Sequence, residues 1–284
     1  AFLQQVLIVQ YKNQFAFASG NAQDIFSNKD INTVFIATRH ETHAGYVMQA
    51  LQSGKNVFVE KPLCLTEEEL VQIQHEFTKH NCRVMVGFNR RFAPMIQTIK
   101  KTFSSSNPIA INYRINAGVI PADHWVHDLK VGGGRIVGEA CHFIDLCMFL
   151  AGSKLTTISA VALNDAQKLN DTVCFNLQFE NGSTASVSYF SNGNKSINKE
   201  YLEVFGSGIV AVLDDFKTLT VSGKSEKKYT GNQDKGHQNE VKAFVESILQ
   251  GKPAPIPFEE TVLSTLATFR SLQSIASNGE RIIL

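Results

Sequence analysis

Lys61 sits in the tripeptide Glu60-Lys61-Pro62, directly after the apolar run Asn56-Val57-Phe58-Val59. Proline disfavours helical geometry for the residue before it, so this lysine is held extended and its amine can be aimed into a crevice. In a partly desolvated, cationic or cofactor-lined site a lysine loses its proton more easily and can exchange protons near neutral pH. An ordinary surface loop uses the same residue type with no such role. A second group follows Gly132-Gly133-Gly134, where Glu139, His142 and Asp145 recur at i, i+3 and i+6, the spacing of one helix face. That face can present His142 as a proton carrier with its ring oriented by a carboxylate, or it can be a polar stripe around a satisfied histidine. A third segment, Thr38-Arg39-His40-Glu41-Thr42-His43, follows the run Thr33-Val34-Phe35-Ile36-Ala37. No carboxylate or cysteine ligand is evident beside His40 and His43, so no metal site is expected there.

These residues need elements to hold them. Residues 33–37, 56–59 and 83–87 are short apolar runs that read as buried parallel strands. Between them, Ala44, Val47, Met48 and Leu51 carry helical spacing, and Thr66-Glu67-Glu68-Glu69 has the capping-box form for a helix through about His80. Alternating strands and helices make half of a doubly wound sheet, whose ligands bind beyond the carboxyl ends of the strands. Both Thr38 and Lys61 fall there. A helix is expected from about Arg91 to Lys101, then a polar break at Ser104-Ser105-Ser106-Asn107-Pro108.

Beyond the break, strands are expected at 109–115, 155–161, 172–179, 183–189, 201–205, 209–213 and 219–221, with turns at Asn181-Gly182, Gly206 to Gly208 and Asp214-Asp215. Helices are expected from the glycines to about Leu150, from Gln238 to Leu249 and from Glu259 to Ser277. The expected architecture is therefore α/β plus α+β. Residues 1–107 form a partial Rossmann-type parallel sheet, and residues 108–284 form a mostly antiparallel open sheet with helices on one face. The other face is expected to be apolar and to serve self-association into a homodimer or homotetramer.

Composition limits the alternatives. The 284 residues carry 27 basic against 26 acidic side chains, with no single-sign block, which argues against nucleic acid as a partner. Five cysteines, at 64, 82, 141, 147 and 174, show no C-x-x-C spacing and read as reduced, mostly buried thiols of a cytoplasmic protein. No apolar run approaches the ~20 residues that span a bilayer, so no membrane is expected as a partner.

Ile36-Ala37-Thr38, His43, Glu60-Lys61-Pro62 and the glycine stretch leading to His142 together resemble the glucose-fructose oxidoreductase and inositol dehydrogenase family, often called Gfo/Idh/MocA. The resemblance is specific over residues 33–64, 84–92 and 132–152. It implies a cofactor, NAD or NADP, bound by the Rossmann domain, and oxidation or reduction of a secondary alcohol or carbonyl on a sugar, cyclitol or related small molecule. By the same resemblance Lys61 exchanges the proton beside the reacting carbon and His142 positions or deprotonates the substrate hydroxyl. Glu139 takes the place of an aspartate that many members carry at the position of Gly138. Ala37, Thr38, His43, Glu60 and Lys61 are implied to border the cofactor, as are Asn89 and Arg90, with Arg91, in the stretch that faces the cofactor or the domain interface. Trp125 and His127 wall the substrate pocket or pack in a hinge.

No G-x-G-x-x-G precedes Thr33, and the chain begins without Met. Val6 to Tyr11 and Phe15-Ala16-Phe17-Ala18 resemble the end of the family's second helix and its following short strand, so the first strand, glycine loop and acidic ribose position are expected upstream of Ala1. The alternative is true loss of that turn, which leaves a non-catalytic binding or scaffold module, or part of a larger fused dehydrogenase.

Overall fold

The structure is a computed structural model that describes residues 15–105, 108–164 and 169–284. A short helix α1 (Gln23–Phe26) leads into β1 (Thr33–Ile36), α2 (His43–Gln52), β2 (Asn56–Val59), α3 (Glu67–Phe77) and β3 (Val84–Val86). The three strands pair in parallel in the order β1-β2-β3. α3 starts where the capping box places it: Glu69 N donates to Thr66 Oγ1 over 3.2 Å, and Thr66 N donates back to the Glu69 carboxylate over 3.3 Å.

The expected segment Val6 to Tyr11 lies outside the described residues. Phe15-Ala16-Phe17-Ala18 forms no strand, which corrects the expectation, and Phe15 and Phe17 are 57% and 41% exposed.

α4 (Pro94–Thr102) joins this unit to β4 (Ala110–Asn116). Then follow α5 (Cys141–Ala151), β5 (Leu155–Ala162), β6 (Val173–Phe179), β7 (Thr184–Phe190), β8 (Glu200–Gly206), β9 (Ile209–Asp214), β10 (Thr218–Ser222), β11 (Glu226–Thr230), α6 (His237–Leu249), α7 (Phe258–Ala276) and β12 (Ile282–Ile283). The strands form one sheet in the order β11-β10-β9-β8-β4-β7-β6-β5-β12, antiparallel throughout except for the β4/β7 pair. One face is core. Tyr113, Phe175, Leu177, Val187, Tyr189, Leu202 and Val204 meet Phe143, Ile144 and Leu146 of α5 there. Full burial of each such large side chain is worth about 1.5–3 kcal/mol.

The opposite face is uncovered as expected but polar. Asn112, Asn176, Gln178, Thr184 and Ser186 are exposed on the central strands, a consequence of strict alternation with the core residues. Large exposed apolar residues on the strands of this sheet stand singly, Val161 on β5, Phe205 on β8, Tyr229 on β11 and Ile283 on β12. This corrects the expectation of an apolar face.

The second core joins the two ends of the chain. Val57, Val59, Leu70, Ile73 and Met85 pack with Phe244 of α6 and with Ile256 and Phe258. Phe244 meets Phe58 edge-on at 5.7 Å and Phe35 at 5.9 Å. The C-terminal helices thus return to the parallel sheet and clamp it to the large one. None of the described helices is long and apolar enough to cross a membrane. All five cysteines are free; Cys64, Cys141 and Cys147 are buried, and Cys174 is exposed.

Candidate active site

β1 and β2 end level with each other, Ile36 opposite Val59, and Glu60 N donates to Ile36 O over 2.8 Å. The turns carrying Thr38 and Lys61 therefore leave the sheet side by side. His43 binds them together. Its ring is fully buried, with Nδ1 2.7 Å from Pro62 O and Nε2 3.1 Å from Thr38 O. That makes it a staple beneath the site, where the sequence suggested a cofactor border. The Lys61-Pro62 peptide is cis. Glu60 lies over Gly87, where a Cβ would stand 3.2 Å from its carboxylate oxygen. Ala37 and Thr38 are exposed at the end of β1, and Thr38 Oγ1 lies 2.5 Å from Thr42 Oγ1.

The other wall comes from the segment before α5. Residues Ile136–Ala140 form a π-helical turn that runs into the α-helix at Cys141. Lys61 Nζ donates to the Gly138 carbonyl over 2.9 Å, which anchors the amine one turn ahead of His142. Glu139 receives Lys199 Nζ at 2.5 Å, Arg135 Nη2 at 3.2 Å and the Tyr189 hydroxyl. Burial alone would raise its pKa, but Lys199, Tyr189 and Arg135 outweigh burial and hold the carboxyl at about 2.

Glu139 therefore does not orient His142. The His142 ring is buried, its Nδ1 has no partner, and neither ring nitrogen is hydrogen-bonded among the described residues. Burial first, then the charges of Arg90, Lys61 and Lys199, push its pKa well below the ordinary value, so the imidazole is neutral. Asp145 faces another way again and takes a bidentate pair from Arg91, at 2.8 and 2.6 Å. The i, i+3, i+6 spacing assumed an α-helix throughout. The π turn, with its i→i+5 bonds, ends at Ala140, between Glu139 and the α-helix that carries His142 and Asp145.

Asn89, Arg90 and Arg91 are buried at the junction of the two sheets, the domain-interface alternative expected for this stretch. Asn89 Nδ2 donates to Lys235 O over 2.8 Å, and Arg90 makes a fork-to-fork pair with Glu200 at 2.8 and 2.9 Å. Glu200 also takes Lys235 Nζ at 2.7 Å and the Tyr113 hydroxyl. Guanidinium groups so engaged are committed to holding the two sheets together.

Sequence reasoning missed several neighbours. Tyr189 and Lys199 reach Glu139 from distant parts of the chain, and only the sheet topology brings them there, whereas Arg135 stands four residues before Glu139. Glu240, in the first turn of α6, is 2% exposed with Oε1 unpaired. Burial, then the neighbouring Glu60 and Asp145 carboxylates, raise its pKa to about 9. His40, noted in the sequence only as a possible metal ligand, is buried against Trp125, with ring centroids 4.9 Å apart. The Arg39 guanidinium lies 5.7 Å from the Trp125 ring centroid, and His127 Nε2 is buried and unpaired nearby in sequence. Among the described residues no three His, Cys, Asp or Glu side chains are placed to hold a metal ion.

The arrangement can move a proton: an amine just beyond a parallel strand is anchored on the carbonyl of Gly138, and the neutral imidazole of His142 follows on α5 with Nδ1 unpaired. Small exposed residues at Ala37 and Thr38 leave that edge open to a dinucleotide, which fits the residues present.

Residues 4–88 match the family described as "Oxidoreductase family, NAD-binding Rossmann fold", and residues 106–210 match the "GFO/IDH/MocA C-terminal domain". The chain is 26% identical over 218 residues to the uncharacterized oxidoreductase YrbE of Bacillus subtilis, a match covering 74% of this chain and 63% of that protein. It is 24% identical over 238 residues to inositol 2-dehydrogenase of Rhizobium meliloti, covering 78% of this chain and 72% of the relative. A solved structure of levoglucosan dehydrogenase in complex with NADH and levoglucosan superposes with a TM-score of 0.86 at 20% identity, covering 99% of this chain and 87% of the other. With both halves of the chain matched in register, the protein belongs to the Gfo/Idh/MocA oxidoreductase family.

Proposed function

We propose that this protein is an NAD(P)-dependent oxidoreductase acting on a secondary alcohol, or the corresponding carbonyl, of a sugar or cyclitol. The observation that carries the reading is the convergence of Lys61 and the π turn at Gly138 just ahead of a neutral, unpaired His142. The nicotinamide supplies hydride acceptance and donation when bound. The chain's own part is placement and proton movement. Ala37, Thr38 and Glu60 line the cofactor edge, with His43 holding the turns beneath them. His142, kept uncharged, donates its one N–H to the reacting oxygen and holds it in place, and Lys61 takes up the hydroxyl proton as the hydride leaves. Glu139 serves as a positioning residue, since its bonds to Lys199, Arg135 and Tyr189 tie the π turn to the large sheet.

Relatives named for inositol and levoglucosan supply the first substrates to try. The test is to titrate the full chain with NADH and NADPH by fluorescence and to assay reduction of NAD+ and NADP+ by myo-inositol, scyllo-inositol, levoglucosan and D-glucose. Saturable binding with turnover of at least one polyol is expected. Absence of any dinucleotide binding would leave a scaffold role instead. The uncovered face of the large sheet is the surface through which a homodimer or homotetramer is expected to form, and light scattering gives the mass.

A further inference from the structure

A cavity of about 550 Å³ opens where α4, the C-terminal end of α5 and the start of α7 meet. None of Lys61, Glu139 and His142 lines it. Its volume falls in the range of about 300–1,000 Å³ usual for small-molecule pockets. Met148, Phe149, Pro255 and Leu263 give it an apolar lining. Three cations, Arg91, Lys100 and Lys154, share that lining with two carboxylates, Glu259 and Glu260.

Lys100 is the cation left short of a counter-charge. Its amine donates to Leu150 O at the end of α5 over 3.2 Å and lies 5.5 Å from the Phe149 ring centroid, but it makes no ion pair among the described residues. Of the two lining carboxylates, Glu260 is taken by Arg91 at 2.5 Å, and Glu259 is exposed. Gly152 ends α5 in the left-handed region at φ +62°, and a Cβ there would stand 2.5 Å from Lys100 Nζ, so glycine leaves the amine room to lie across the helix end. Burial lowers the pKa of this half-buried amine, with the Glu260 charge opposing and the Arg91 charge adding to it. An ammonium has three hydrogens to give, and one carbonyl does not offset its lost hydration. A lysine that only capped α5 would need Leu150 O and no aromatic-lined cavity beside it.

We propose that this cavity binds a small monocarboxylate with an apolar body, the carboxylate on Lys100 and the body against Phe149, Met148 and Leu263. Lys154, exposed and without an ion pair among the described residues, adds a second positive charge to the lining. Glu259 and Glu260 set the limit on the ligand: a second negative group in the same cavity meets like charge, so a diacid or a phosphate is disfavoured. The assignment is independent of the redox reaction, since it uses neither the strand-end turns nor His142.

The test is calorimetric titration of the full chain at pH 7 with benzoate and 4-methylpentanoate, against benzamide, phthalate and inorganic phosphate. At least one of the two monocarboxylates is expected to saturate a single site, and the other three probes to bind about 10-fold more weakly or worse. Lys100→Met is expected to weaken the monocarboxylate by about 10-fold, and Lys61→Met to leave it unchanged. The methyl 13C resonance of Met148, assigned by its loss in Met148→Leu, gives a readout in the wild-type chain and is expected to shift on titration. Failure of both monocarboxylates to bind overturns the proposal, as does an unmoved Met148 methyl. Benzamide or phosphate binding as well as benzoate overturns it too. Binding lost in Lys61→Met but kept in Lys100→Met would put the anion in the active site instead, and the cavity assignment would fall.

Discussion

Lys61 and Gly138 stand 77 residues apart in the chain, yet the amine of one donates to the carbonyl of the other over 2.9 Å. The bond joins the end of a parallel strand to the π turn before α5. Because the acceptor is a backbone carbonyl, the amine is aimed without being given a counter-charge.

Replacing Lys61 by Met is therefore expected to lower kcat by a factor on the order of 10² to 10⁴ while dinucleotide affinity changes little. Lys61→Arg is not expected to restore turnover, since a guanidinium keeps its proton throughout. Steady-state kinetics together with NADH titration check both. Unchanged turnover in Lys61→Met removes this residue from the mechanism.

Arg90 and Glu200 form a buried clasp between the two sheets, with side chains 7% and 1% exposed. Arg90→Met leaves the Glu200 carboxylate with Lys235 and Tyr113 only, and a destabilisation of about 3–5 kcal/mol is expected in urea unfolding. Adding Glu200→Gln to that variant removes the stranded charge and is expected to recover part of the loss. If the double variant is no more stable than the single one, the clasp is not the reason.

Glu240 has a folded pKa raised to about 9 against an ordinary value of 4.5, so the native state keeps a proton that the unfolded chain releases. Its contribution to stability is complete below pH 4.5 and is lost as pH rises from there towards 9. Glu240→Gln is expected to stabilise the protein at pH 8, by an amount on the order of 1–3 kcal/mol, and to have little effect at pH 4.5. Melting curves across that range measure it; equal shifts at both ends would show that the carboxyl does not titrate this way.

Acid should act in two windows. His40, lowered from 6.5 to about 4, binds no proton in the native state while the unfolded chain does, so its contribution is present above pH 6.5 and lost as pH falls towards 4. Glu139, lowered from 4.5 to about 2, contributes above pH 4.5 and loses that contribution towards pH 2. Glu139→Gln is expected to be less stable than wild type by on the order of 2 kcal/mol at pH 7, discounted because Lys199 is part exposed, and to converge with it near pH 2. A constant difference across that range would assign the Glu139 effect to packing alone.

Much of the positioning framework is legible in local sequence. The runs at 56–59 and 83–87 specify buried strands because both faces are apolar, the run at 33–37 forms a strand that buries Val34 and Ile36 and leaves Phe35 half exposed, and the Thr66-Glu69 box specifies where α3 begins. The central strands of the large sheet are marked by alternation, as in Val173–Phe179, where core and solvent faces need different residues. β11 is not legible: Glu226–Thr230 is exposed throughout and is held by its ladder to β10, for which side-chain pattern carries no signal.

The identities of Lys61, His142 and the glycines before the π turn, and their places relative to the strands and the helix, were determined by the sequence itself. Proline restricts the residue before it, and strand ends and helix starts are local matters. What only the tertiary structure decided is who meets whom. Glu139 goes to Lys199, Asp145 to Arg91 and Arg90 to Glu200, because the tertiary fold delivers distant cations to particular carboxylates. A partner choice among charges is settled by long-range geometry and desolvation, and neither quantity is written in spacing along the chain.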